Sequence, residues 1–267
     1  MIEEENQYIP FAHTIMEVIK HTHIEYTFRL EYADAKHVIP GQFFEISLPQ
    51  FGEAPISVSG IGENSIDFTI RSTGVVTDEL FTYTTGDQLF IRGPYGNGFI
   101  ADNYKGAELV VIAGGTGVSP VKSIIDYFGN HNDEVKNMQI ITGFKSREDM
   151  LFTSDFARWQ NQMHVTLTFD KGDESVDNIG LVTKYIPLLE VEDLPTAQAI
   201  VVGPPIMMKF AVRGLLERGY KEENIWISHE RRMSCGIGKC GHCRVNDTYI
   251  CLDGPVFNYT VGKDLID

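Results

Sequence analysis

The chain has 267 residues, 43% hydrophobic and 22% charged, the balance of a soluble globular protein with length enough for two cores. A net charge of −15 excludes nucleic acid or an anionic membrane as the main partner, since either would need basic patches. The acidic start Met1-Ile-Glu-Glu-Glu5 lacks the regions of a signal peptide, and no apolar run nears the ~20 residues of a membrane span, so a cytoplasmic, reducing setting is expected.

Residues 12 to about 100 read as strands. Tyr26, Phe28, Leu30 and Tyr32 alternate with Glu25, Thr27, Arg29 and Glu31, a period of two that buries one face. Further runs lie at Ile15–Ile19, Phe43–Leu48, Ile56–Ser59, Ile66–Arg71 and Leu89–Arg92, punctuated by glycine and proline. Six such strands predict a small antiparallel barrel, interrupted at Gly74–Phe81 by a helical turn or two with Thr77 as N-cap. From about residue 107 the period changes. Leu109-Val-Val-Ile-Ala113 is a continuous apolar run, as in a strand buried on both faces of a parallel sheet. Gly114-Gly-Thr-Gly117 follows, then a helix with Ser119 as N-cap and Pro120 at its first position. Strands at Gln139–Thr142, His164–Phe169, Ala199–Val202 and Ile225–Ser228 alternate with helices near Asp149–Trp159, Val182–Leu189 and Ile206–Glu217. The pattern predicts a five-stranded parallel, doubly wound α/β domain. The expected boundaries are a barrel over 1–103, a nucleotide domain over 104–229 and a cysteine-bearing segment over 230–267.

All four cysteines fall in that last segment. Cys235, Cys240, Cys243 and Cys251 form a C-x4-C-x2-C-x7-C run, whose first three follow the plant-type spacing of a [2Fe–2S] site. Gly236, Gly238 and Gly241 let the backbone wrap closely enough to aim N–H groups at sulfur. Zinc and a disulfide pair are the competing readings, although only Cys240 and Cys243 make a zinc knuckle. His242 reads as a surface residue rather than a ligand.

Two glycine-bearing turns are candidates for a dinucleotide. Gly114, Gly115, Thr116 and Gly117 join a strand to a helix N-terminus, the geometry that receives pyrophosphate, although Pro120 stands where G-x-G-x-x-G has its third glycine. Gly203-Pro204-Pro205 follows another strand on the same carboxyl edge. Asp170 is the candidate for the ribose hydroxyls, while Lys145 and Arg147 offer positive charge. In the barrel, a hydroxyl such as Ser57 at a strand end has the chemistry to bond a flavin ring nitrogen.

An antiparallel barrel, a nucleotide-type α/β domain and a plant-type cysteine loop together resemble the flavin- and cluster-bearing branch of ferredoxin-reductase-like electron-transfer proteins. The resemblance rests on Gly52-Glu-Ala-Pro-Ile-Ser-Val-Ser59, Gly93-Pro-Tyr-Gly-Asn-Gly98, Ala113–Lys122, Val201–Met207 and Glu230–Arg244 with Cys251–Pro255, and it is greatest toward the electron-transfer subunits of anaerobic sulfite reductases. It implies FAD along Pro55, Ile56 and Ser57, with Ile70 and Arg71 beside it and Gly74, Val76 and Thr77 at the pyrophosphate. Ser57 would be the residue touching the flavin's reactive nitrogen. It also implies NAD(P)H, with NADH favoured, on Gly114–Gly117 and Gly203–Pro205, and [2Fe–2S] on the four cysteines. Ala54 stands where the family carries the arginine of its flavin motif, and Arg71 is the candidate replacement.

The function implied is passage of electrons from NAD(P)H through FAD and [2Fe–2S] to iron–sulfur and sirohaem-type subunits that reduce sulfite to sulfide. With all four cysteines used, sulfite chemistry would lie on those partners. The alternatives are the equivalent subunit of a sulfhydrogenase, dihydroorotate dehydrogenase or transhydrogenase, or a zinc-stabilised module without redox function. Pro255-Val-Phe-Asn-Tyr259, beside the cysteines, is expected to meet the partner.

Overall fold

Period-two alternation in the first hundred residues builds six strands: β1 (Phe11–Lys20), β2 (Glu25–Glu31), β3 (Phe43–Leu48), β4 (Gly52–Ile61), β5 (Ser65–Arg71) and β6 (Gln88–Tyr95). In this computed structural model, which describes residues 6–175 and 177–265, they close into an antiparallel barrel in the order β1-β2-β5-β4-β3-β6. Alternate side chains, among them Phe28, Leu30, Phe44, Ile46, Val58, Phe68, Ile70 and Ile91, fill its interior, with Phe44 and Phe68 edge to face at 5.4 Å. Burial of that apolar set is what holds the barrel closed. Between β5 and β6 lies the helix α1 (Val75–Leu80). Its N-cap is Gly74, not Thr77. Thr77 sits three positions further on, where its hydroxyl accepts from the N–H groups of Thr73 and Gly74, both at 3.0 Å.

The alternation along β2 is legible in its inward face but misleading on the other. Glu25 and Thr27 are buried too, because Arg71 pairs with Glu25 and a hydroxyl chain links Thr27, Thr69 and Ser59. Polar residues tolerate burial where each finds a partner. Among the described residues of the barrel, Glu45 is the exception. It is 0% exposed on β3, and neither carboxyl oxygen has a hydrogen-bond partner among the described residues.

The second unit comprises Phe99–His229 with the chain from Val256 onward, while Glu230–Pro255 belongs with the barrel. The second unit's strands are β7 (Glu108–Gly114), β8 (Asn137–Phe144), β9 (His164–Phe169), β10 (Asn178–Ile179), β11 (Gln198–Val202) and β12 (Ile225–Ser228). Crossing helices are α2 (Val118–Asn130), α3 (Thr153–Trp159) and α4 (Pro205–Arg218). The sheet has seven strands, not the expected five: β10 adds two residues beside β9, and β15 (Val256–Asn258) returns antiparallel to β12. Strand order reverses between β7 and β11, so the right-handed crossover rule sends α2 and α4 to opposite faces.

Several helix ends differ from expectation. Gly117, not Ser119, caps α2, and Ser119 is buried inside the first turn. The helix expected at Val182–Leu189 is two 3-10 turns, Val182–Lys184 and Ile186–Leu188, because Pro187 lacks the N–H a continuous helix needs. Among the described residues no helix is long and apolar enough to cross a membrane.

Glu45 generates a test of the barrel. Burial pushes its carboxyl up to about 7, with Arg92 opposing and Glu53 and Cys235 adding to the push. The folded state therefore binds this proton more tightly than the unfolded chain, and stability falls as pH rises toward 7. Between pH 5.5 and 8.5 this one group costs about 2 kcal/mol, from roughly 1.4 kcal/mol per pH unit. Glu45→Gln, which cannot ionise, is expected to gain that amount on the wild type across the interval in urea unfolding. Parallel pH profiles for the two proteins would refute it.

Candidate functional site

The cysteine segment is built on turns. After His229 the chain runs to Cys235, then passes β13 (Arg244–Val245), β14 (Thr248–Tyr249) and the short helix α5 (Ile250–Asp253) before β15 and a last helix α6 (Tyr259–Gly262). β13 and β14 form a hairpin around Asn246-Asp247, with Asn246 in the left-handed region at φ 52°. Gly236 and Gly238 are required by space as well as by φ, at 74° and 69°. A Cβ on Gly236 would lie 2.8 Å from the Tyr95 ring, and one on Gly238 would lie 2.9 Å from Leu252.

Backbone N–H groups converge on the sulfurs. Those of Ile237, Lys239 and Cys240 donate to Cys235 Sγ at 3.5, 3.3 and 3.4 Å. Gly238 N–H donates to Cys251 Sγ at 3.2 Å and Cys251 N–H to Cys243 Sγ at 3.4 Å. Such donors stabilise negative charge on sulfur, which is what a thiolate ligand carries. The N–H of His242 holds the exposed Cys240 thiol below its ordinary value, and the His242 side chain is itself exposed. Burial, then hydrogen bonding with Cys243, pushes the Cys251 thiol up to about 12. Among the described residues no three metal-ligating side chains gather about one point. Cys240 interacts with Cys235, and Cys251 with both Cys243 and Cys235.

Residues that the sequence reading passed over hold this loop to the barrel. Arg92, 5% exposed near the end of β6, donates to the carbonyls of Ser234 (2.9 Å) and Cys235 (2.7 Å). It also grips Glu53 of β4 through two bonds of 3.0 and 2.6 Å. Beyond it, Asn97 reaches the other end of the loop, its N–H donating to Gly254 O at 2.5 Å and its side chain to Asp253 O at 2.8 Å. Arginine on an apolar strand beside Gly93-Pro94 was the available signal, since an arginine there must be paired to be buried.

The flavin candidates lie on the same unit. Pro55, Ile56 and Ser57 form a half-buried stretch of β4, with Ser57 opposite Phe43 of β3, and Ala54 pairs with Ile46. Ile70 is buried in the barrel. Nothing lies within 4 Å of where a Cβ on Gly74 would sit, while Val76 packs 3.6 Å from the corresponding point on Gly52. Arg71 is half-exposed but engaged, donating to Glu25 at 2.7 Å, and Thr22 bonds the same carboxylate.

On the second unit the dinucleotide candidates adjoin one another. β7 and β11 are parallel neighbours with Ala113 opposite Val202. A Cβ on Gly117 would lie 2.6 Å from Val202 O and 2.8 Å from Gly203 Cα, so the turns Gly114–Gly117 and Gly203–Pro205 touch through bare backbone. Gly115 has φ 55°, and Thr116 is half-buried between the two glycines. Asp170 is exposed after β9, separated from β7 by β8. Lys145 is exposed, whereas Arg147 is paired with Asp177 and stacked 5.4 Å from the Phe169 ring. Phe257 is 6% exposed in β15, beside the His229 ring at 5.8 Å. The structure thus corrects the expectation that Phe257 presents itself to a partner: its side chain is spent inside the sheet.

Two family models match, the oxidoreductase NAD-binding domain over residues 111–213 and the iron–sulfur cluster binding domain of dihydroorotate dehydrogenase B over residues 230–261. The chain is 35% identical to sulfhydrogenase 2 subunit gamma of Pyrococcus furiosus, covering 95% of this chain and 96% of that one. It is 33% identical to a probable dihydroorotate dehydrogenase B (NAD(+)) electron transfer subunit of the same organism, over 85% and 81%. Its fold matches a chain from a study of an NADH-dependent reduced ferredoxin-NADP oxidoreductase, with a TM-score of 0.79, 25% identity and coverage of 93% and 88%. These relatives are named for hydrogenase and dihydroorotate systems, so the expected assignment to sulfite reduction gives way to its alternative. On likeness running through nearly its whole length, the chain belongs to the ferredoxin-reductase-like family of NAD-binding, iron–sulfur electron-transfer subunits.

Proposed function

We propose that this chain is the electron-input subunit of a multi-subunit oxidoreductase of sulfhydrogenase type, taking reducing equivalents from NADH through FAD and a [2Fe–2S] cluster to a partner subunit. When bound, these groups supply hydride donation, division of an electron pair into single electrons, and one-electron release. The observation that carries the reading is the convergence of five backbone N–H groups on the cysteine sulfurs of a four-cysteine loop that shares a unit with β4. Such donors suit the sulfur-rich charge of an iron–sulfur centre, whose plant-type spacing the first three cysteines follow.

The residues divide the work. Gly114–Gly117 and Gly203–Pro205 present bare backbone to a pyrophosphate, with the N–H groups at the start of α2 contributing a positive dipole end. Pro55, Ile56 and Ser57 offer a half-buried edge for a flavin ring, Ser57 supplying the hydroxyl, and the open space at Gly74 admits a phosphate. The N–H groups of 237–240 and 251 offset charge on the thiolates. NADH is favoured as donor by the NAD(+) in the name of the dihydroorotate dehydrogenase relative, and the pairing of Arg147 with Asp177 is in keeping with it. A dihydroorotate dehydrogenase partner is the second reading, supported by the iron–sulfur model that matches residues 230–261.

Anaerobic addition of NADH is expected to bleach the flavin band and produce the EPR signal of a reduced two-iron cluster. Cys251→Ser should abolish that signal while flavin bleaching persists; a colourless preparation carrying zinc would overturn the reading. Steady-state kcat/KM should favour NADH over NADPH by at least about tenfold, roughly 1.4 kcal/mol in transition-state terms. Equal values would place the 2′-phosphate in contact with a free cation. Arg71→Ala tests the replacement for the missing flavin arginine. Because Glu25 already neutralises Arg71, a severalfold rise in the FAD dissociation constant is expected rather than total loss, and unchanged occupancy on dilution would remove Arg71 from the site.

A further inference from the structure

The Arg92 guanidinium joins two places whose separation matters to electron transfer. On one side it holds Glu53, two residues before Pro55 on β4. On the other it holds the carbonyls of Ser234 and Cys235, the entry to the cysteine loop. Its Nη1 also reaches Tyr95 OH at 3.2 Å, and that hydroxyl donates to Gln7 O at 2.6 Å. The Tyr95 ring lies where any side chain on Gly236 would have to go. One planar group thus fixes the flavin-edge strand, the first cysteine and the neighbouring glycine turn together.

We infer that Arg92 is a positioning residue for electron passage from the flavin edge of β4 to the cluster loop, a role that rests on the function proposed above. The electrons concerned are the two delivered with the hydride of NADH, which becomes NAD+; they leave singly, and the proton of the hydride is released to solvent. Arg92 forms no bond with either centre. It fixes where Cys235 stands relative to β4, and its positive charge beside Cys235 favours the cluster's reduced form. The two effects separate by substitution. Lysine keeps the charge but, as a single ammonium on a flexible stem, cannot hold a carboxylate in fork geometry and two carbonyls at once. Glutamine loses both.

The experiment is stopped-flow reduction of the whole FAD- and cluster-loaded protein by NADH, following flavin bleaching and cluster reduction separately, with EPR-monitored redox titration alongside. Arg92→Lys is expected to leave flavin bleaching within about twofold and the cluster potential near wild type, but to slow cluster reduction at least about tenfold. Arg92→Gln should slow it as much and also lower the cluster potential. Hydrogen exchange at residues 234–238 should rise in both variants. If the Arg92 variants fail to retain the cluster, Glu53→Gln carries the test: it leaves the carbonyl bonds in place but loosens β4, and should give slowed cluster reduction with the cluster intact. Cluster reduction at the wild-type rate in loaded Arg92→Lys, or in Glu53→Gln where Arg92 variants do not load, overturns the inference. Failure of NADH to reduce the cluster in the wild type would instead overturn the proposed function, so the two outcomes are distinct.

Discussion

A guanidinium removed from water must have its donors and its charge answered, and at Arg92 both are answered by groups that belong to different parts of the chain. Glu53 neutralises it in the fork geometry that carboxylates share with arginine, and two main-chain carbonyls and the Tyr95 hydroxyl take the remaining donors. Removing one partner of such a pair leaves an uncompensated buried charge, at a cost of about 3–5 kcal/mol, so the pair is hard to part. The cysteine loop enters the fold at this point. Asn97 secures its other end by two bonds to Asp253 and Gly254. The end of β6 and the turn after it therefore hold both ends of the loop, and the loop's own N–H groups are left free for sulfur.

The same neighbourhood explains why Glu45 is tolerated. Arg92 lies opposite it across the β3–β6 pair, and its charge opposes the penalty of burial. Arg92 is already committed to Glu53 and the loop, so Glu45 receives its field without a hydrogen bond. Local stability is given up for a fixed constellation, the usual pattern where buried polar groups specify geometry more than they stabilise it.

What the amino-acid order makes legible here is what local patterning controls. Period two in 25–32 and the apolar run 109–113 each depend on neighbours a few residues away, and each appears where expected. The rest depends on distant partners. β15 is three residues long, and nothing in Val256-Phe257-Asn258 announces a strand until β12 is beside it. Thr77 has an N-cap's chemistry, but its hydroxyl serves the N–H of Gly74 from inside the helix, and the glycine before it takes the cap. Arg92 looks like a solvated residue at a strand end because its partners at 53 and 234–235 are far off in sequence. Arg71 reads from the sequence as the candidate replacement for the flavin arginine, and only the fold shows Glu25 across the β2–β5 pair.

The division of the chain follows from size. A segment as short as Glu230–Pro255, with turns in place of long elements, cannot bury enough apolar surface to stand by itself. The barrel wall is one source of order, and the proposed thiolate-bound centre would be a second. Metal binding organises the sulfurs among themselves but says nothing of where they lie relative to β4. The barrel supplies that position, through Arg92 at the entry and Asn97 at the exit. A loop tied to the barrel at both ends keeps its cysteines registered to Pro55–Ser57. A barrel strand, rather than a linker, thereby sets the span between the loop and β4.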